Sequence, residues 1–172
     1  MMDLKADGTN KRWYPVYTHP RAEKKACEAL AGKKIEVYLP LHRQLKQWSD
    51  RKKWVEEPLI KSYLFVNIAP HEQGDVLMTK GISRFLYFSG KPATMPTSQI
   101  TELKLLMAGP YELEVTEDNL QPGEKIKVKA GALKGMTGEI ISHKSQKQFI
   151  LRLESIGQSI IVHTLASYIQ RI

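Results

Sequence analysis

The sequence predicts an α+β chain: strands and helices over the N-terminal part, followed by a small C-terminal β-barrel. Three observations carry this. Up to residue 108, aromatic and β-branched runs of strand length alternate with segments of helical spacing. From residue 120 the runs shorten and glycines punctuate them, as in small barrels. The charge is also uneven: residues 1–107 hold 18 of the 26 basic and 11 of the 18 acidic residues. The expected division is a loose tail at 1–11, a first domain at 12–108, a linker at 109–119 and a second domain at 120–172.

The elements follow in order. Arg12 to Thr18, RWYPVYT, suits a strand, with Pro15 placing it at an edge or making it irregular. Pro20 opens a helical pattern in which Ala22, Ala26, Ala29 and Leu30 share a face and Gly32 ends the helix. A stripe of alanines requires close packing. Ile35 to Leu41 reads as a second strand. HRQLKQWSDRKKWVEE reads as a projecting basic hairpin, its turn at Ser49, Asp50 and Arg51. PLIKSYLFVNI holds a short apolar run that suits a buried central strand. Glu72 to Thr79 suits a short helix with Val76 and Leu77 inward. Ile82 to Phe88 is a further strand. Thr97 or Ser98 can cap a helix whose apolar face is Ile100, Leu103, Leu106 and Met107. Tyr111 to Asn119 is acidic and reads as an interdomain linker. Beyond it, Ile126 and Val128 alternate with Lys125, Lys127 and Lys129, and Phe149, Leu151 and Leu153 alternate with Ile150 and Arg152. Ser159 to His163 and Ala166 to Ile172 add strand-like residues.

Composition narrows the function classes. The formal net charge is +8, which favours polyanionic partners. No apolar run spans a bilayer, and the polar start lacks a secretory pattern. The single cysteine, Cys27, rules out an internal disulfide framework. The cytoplasm is the default compartment, with no membrane partner and a monomeric state expected. The five histidines are scattered and form no metal-ligand spacing with Cys27. No phosphate-cradling or dinucleotide fingerprint is present. A non-enzymatic protein without cofactor or metal is the expectation.

LQPGEKIKVKAGALKGMTGEI resembles a KOW motif, through Gly123, Gly131, Leu133, Gly135, Met136 and Gly138. Tight barrel corners favour glycine because it alone adopts the required backbone angles without steric cost. Upstream, WYPVYTHPRAEKKACEAL, PLIKSYLFV and GISRFLYFSGKPATMP resemble, in order, the opening strand and helix, the central strand and the closing portion of the NusG N-terminal domain. The chain is therefore identified as similar to the NusG-like family, which implies an N-terminal antiparallel sheet flanked by helices and a C-terminal SH3-like KOW β-barrel. It looks closer to the specialised RfaH and UpxY type. Lys61 and Ser62 stand where the family's central strand has other residues. Leu133 and Met136 stand where housekeeping members carry two phenylalanines that contact Rho or a small-subunit ribosomal protein.

The resemblance implies a transcription elongation or antitermination factor that binds the large subunits of RNA polymerase and suppresses pausing or termination on specific operons. It assigns clamp docking to Tyr63, Phe65, Phe85, Phe88 and Ile100, whose alternative reading is core packing. It assigns contact with the non-template DNA strand to His19, Arg21, Lys24 and Lys25, whose alternative is a solvated helix face. The hairpin tryptophans either pair across strands or touch DNA or polymerase. Rho or a ribosomal protein is a candidate partner of the second domain. The alternative class is a KOW-containing RNA- or ribosome-binding protein. A resident barrel, rather than a helical form of the second domain, is expected because its β-branched residues and glycines oppose helices.

Overall fold

A computed structural model describes residues 10–117, 121–143, 146–163 and 169–171. Most of the expected tail and part of the last expected strand lie outside them. The chain divides into two compact units, Met1–Thr97 and Ser98–Ile172.

The first unit is built on a four-stranded antiparallel sheet. Its strands are β1 (Arg12–Thr18), β2 (Glu36–Tyr38), β5 (Tyr63–Ile68) and β6 (Ile82–Phe85), in the order β2-β5-β1-β6. β1 is thus interior rather than at an edge, so of the two outcomes expected from Pro15 the local irregularity holds. The proline is tolerated because β6 pairs only with Val16 to Thr18, and a register shift falls at Tyr17/Thr18. β3 (Leu41–Gln47) and β4 (Lys52–Pro58) form a separate two-stranded ribbon, the expected hairpin. The expected single strand 82–88 is broken after Phe85. β7 (Tyr87–Phe88) turns away to pair with β8 (Lys91–Pro92). Its two-residue loop, Ser89 and Gly90, has positive φ at both positions, as a type I′ turn requires.

Helix α1 (Glu23–Gly32) starts three residues later than expected. Arg21 has φ 61°, a left-handed conformation that a helix beginning at Pro20 excludes. Ala26 and Leu30 are buried with Tyr14, Val16, Leu64 and Val66 in one core cluster. The alanine stripe has the expected close partner. A Cβ on Gly81 would lie only 3.1 Å from the Ala26 Cβ and 3.2 Å from that of Ala22. Helix α2 (Gln73–Leu77) buries Val76, whereas Leu77, expected inward, is exposed. Neighbouring helix positions point about 100° apart, and Leu77 falls on the outer side.

The second unit contains helix α3 (Thr97–Ala108, its first residue at the division) and a six-stranded antiparallel sheet. The strands are β9 (Glu112–Glu117), β10 (Glu124–Val128), β11 (Thr137–His143), β12 (Gln146–Leu153), β13 (Gln158–His163) and β14 (Ile169–Arg171). Their order is β14-β10-β11-β12-β13-β9. The acidic segment expected as a linker is therefore a strand: β9 pairs with β13 from Glu112↔His163 to Glu117↔Gln158. Its Leu113 and Val115 alternate with polar residues, a strand pattern that the charge obscured. Gln99 Nε2 donates to the Arg152 carbonyl at 2.9 Å, so α3 is tied to the strands that follow it in sequence. Ile126, Phe149, Leu151, Ile160 and Val162 are buried. A Cβ on Gly138 would land on the Phe149 ring and the Ile150 carbonyl, so that position requires glycine.

Candidate functional site

One end of the first sheet gathers cations that are far apart in sequence. The Thr18 N–H donates to the Ser62 carbonyl at 2.9 Å, and the His19 N–H donates to the Gly81 carbonyl at 2.9 Å. These two bonds join the β1–α1, β4–β5 and α2–β6 connections. The Glu23 carboxylate, buried at the start of α1, accepts the Ser62 N–H at 2.8 Å. Glu23 precedes Ala26 by three residues and Leu30 by seven, which puts it on the packed face, although its charge suggested a solvent position. The structure uses it as an internal brace, so its charge leaves the surface array. Ser62, like Arg21, is held at φ 61°. A left-handed non-glycine residue costs about 1–2 kcal/mol and persists where its surroundings fix it. Here Ser62 is bonded through both its N–H and its carbonyl.

His19, Arg21, Lys24 and Lys25 are all exposed or partly exposed on these elements. Lys24 Nζ donates to the Glu56 carbonyl at 2.6 Å, linking α1 to β4. The register adds residues that sequence reasoning missed. Lys61 and Lys80 are exposed at the same connections, and Arg84 is exposed on β6, paired with Tyr17. The Arg84 guanidinium sits 4.7 Å from the Tyr17 ring centroid. Tyr17 in turn lies 4.4 Å from the Tyr63 ring, tilted by 37°. Burial pushes the Tyr63 hydroxyl well above its ordinary pKa, reinforced by its hydrogen bond with Tyr17 and opposed by Arg84. It remains a neutral phenol beneath a cationic rim. No local motif announces Lys61, Lys80 or Arg84, because only the loop-closing backbone bonds and the pairing of β1 with β6 place them.

The residues considered for polymerase docking separate. Tyr63, Phe65 and Phe85 are buried, and Phe85 meets Tyr14 edge-on with ring centroids 5.9 Å apart. Ile100 is buried on α3, in the second unit. Phe88 is 79% exposed, and its neighbour Tyr87, which sequence reading did not select, is 61% exposed. Both rings lie open to solvent on a tight hairpin. Of the KOW-like positions, Gly131 and Gly135 adopt positive φ. Leu133 and Met136 are buried.

Among the described residues, no group of three or more His, Cys, Asp or Glu side chains could hold a metal ion. No helix among them is long and apolar enough to cross a membrane.

Comparison with known proteins sets this geometry in a family. The family model described as transcription termination factor nusG matches residues 11–104, more than half of the chain. The chain belongs to the NusG family. The matched stretch contains the whole of the first sheet, the basic end and both hairpins. Among solved structures, one of domain interaction in Thermotoga maritima NusG matches with a TM-score of 0.53 at 18% identity. That match covers 95% of this chain and 98% of that one, so the NusG fold extends over both units. Two conformations of an MjSpt4:Spt5 complex match at 17% and 16% identity. Each covers 93% of this chain, and 97% and 96% of the other, with a TM-score of 0.30.

Proposed function

We propose that this NusG-family chain is an elongation or antitermination factor, acting in the cytoplasm as a monomer and without enzymatic chemistry. It binds the large subunits of RNA polymerase, bridges the cleft and suppresses pausing or termination on specific operons. The family match over residues 11–104 carries the reading. Phe88 and Tyr87 supply the accessible apolar contact, since exposed aromatic residues are the usual energetic anchors of an interface. Tyr63, Phe65 and Phe85 support that surface from within. His19, Arg21, Lys24 and Lys25, joined by Lys61, Lys80 and Arg84, face the non-template DNA strand. Holding the clamp closed shifts the polymerase towards states that pause less, by no more than the factor's differential affinity for those states. A contact of the second unit with Rho or a ribosomal protein would use residues other than the buried Leu133 and Met136.

The test is single-round elongation by bacterial RNA polymerase with the full chain and with a Tyr87→Ala/Phe88→Ala variant. The wild type shortens pauses and the folded variant does not. Absence of both polymerase binding and any effect on pausing would overturn the proposal. A second reading, RNA or ribosome binding by a KOW-like region, is favoured by Lys125, Lys127 and Lys129, exposed on one face of β10 and just beyond it. RNA affinity lost on replacing those three lysines would select it.

A further inference from the structure

We propose that the β3–β4 ribbon is a single-stranded DNA-binding arm, in which Trp48 and Trp54 stack on unpaired bases and the basic tip holds the backbone.

The ribbon forms a sheet of its own, so its two faces are separate surfaces. Residues paired across it share a face. Leu45 lies opposite Trp54, and Arg43 opposite Glu56 on the same face. On the other face Lys46 is neutralised by Glu57 at 2.6 Å. The tryptophans do not pair with each other. Trp54 stands opposite Leu45, and Trp48 sits in the turn, where its backbone N–H donates to the Arg51 carbonyl at 2.8 Å. That bond uses no part of the indole, so closing the turn does not require tryptophan. Trp48 is 56% exposed and Trp54 is 59% exposed. The Arg43 guanidinium lies 5.7 Å from the Trp54 ring centroid and steadies that ring.

The occupant follows from the chemistry. Arg51, Lys52 and Lys53 at the tip are exposed and outnumber the single acid, Asp50. A polyanion is therefore the complementary partner. A flat ring needs an accessible base face, which an unpaired strand offers along its length and a closed duplex does not. Aromatic platforms set in a cationic groove are the general solution for single strands. The Lys24 bond to the Glu56 carbonyl makes the ribbon continuous with the basic end of the sheet. The choice of DNA over RNA rests on the non-template-strand reading above. The stacking itself does not.

The experiment follows indole fluorescence of the full chain titrated with oligothymidylate of about 15 nucleotides, a length within ordinary single-strand sites. Trp13 is buried and serves as the internal reference. Wild-type emission is quenched on binding. Trp48→Ala and Trp54→Ala each weaken binding by about 5- to 150-fold, and Trp54→Phe retains most of the affinity. Arg51→Ala/Lys52→Ala/Lys53→Ala lowers the salt slope by about 2, at roughly 0.7 per phosphate contact. Unchanged affinity in both folded tryptophan variants overturns the proposal. So does a duplex bound as tightly as the single strand, oligouridylate bound far more tightly, or no binding at all. Variants that lose polymerase binding while keeping DNA binding make the arm a protein contact and overturn it too. Replacing Arg21, Lys24 and Lys25 tests the sheet-end interface separately, so either surface can fail while the other stands.

Discussion

At the residue scale, burial divides the aromatic side chains into those that hold the fold and those that face a partner. Phe65 is buried in the central strand. Phe65→Ala is expected to destabilise the protein by about 3–5 kcal/mol, the usual cost of an aromatic truncation in a core. Phe88→Ala, at an exposed position, should change stability by less than about 0.5 kcal/mol. Urea unfolding of the two variants checks both, and similar losses would contradict the assignment of Phe88 to a contact surface. Glu23 makes the same point for a charged group. It is buried and accepts the Ser62 N–H, so Glu23→Ala should cost about 1–3 kcal/mol by leaving that donor unmet. A stability unchanged in the same assay would show that Ser62 has another acceptor.

At the element scale, the second unit carries a titratable brace between its strands. Glu139 on β11 accepts from Arg152 Nε at 2.9 Å and from the Gly123 N–H at 2.9 Å. Burial pushes its carboxyl pKa up, but the Arg152 and Gly123 hydrogen bonds and the nearby cations bring it below the ordinary 4.5. A carboxylate whose pKa is lowered on folding contributes stability at pH values above its unfolded pKa. That contribution disappears as the pH falls through the lower, folded value. Wild type should therefore exceed Glu139→Gln in stability at neutral pH, and the difference should shrink below about pH 4.5. Thermal unfolding of both proteins across that range measures it. A difference that is constant with pH would mean that the carboxylate's charge is not what the brace uses.

At the scale of the whole molecule, the charge and the fold act together. The net charge of +8 lies mostly in the first 107 residues, and the register of the first sheet concentrates part of it at one end. Single-strand affinity should therefore fall steeply with salt. Replacing Arg21, Lys24 and Lys25 together should lower the slope of log affinity against log salt by about 2, at roughly 0.7 per lost phosphate contact. Binding measured at several salt concentrations decides this, and an unchanged slope would remove the three from the interface.

Much of the architecture was legible in the sequence because it depends on local pattern. The apolar run at Tyr63–Ile68 made the central strand, the alanine stripe made a closely packed helix, and the turn residues made the β3–β4 ribbon. The ordered N-terminal segments marked the family, whose model matches residues 11–104. What depends on partners distant in sequence was not legible. Pro15 belongs to an interior strand because β6 is short on that side. The acidic segment is a strand because β13 supplies an edge for it. Lys61, Lys80 and Arg84 join His19 and Arg21 because backbone bonds close three loops at one place and β6 pairs with β1. Sequence alone determined the elements and the chemistry available, since propensity, periodicity and charge are properties of neighbouring residues. Only the tertiary structure decided which aromatic residues are core and which are surface, because exposure depends on chain that folds back from elsewhere.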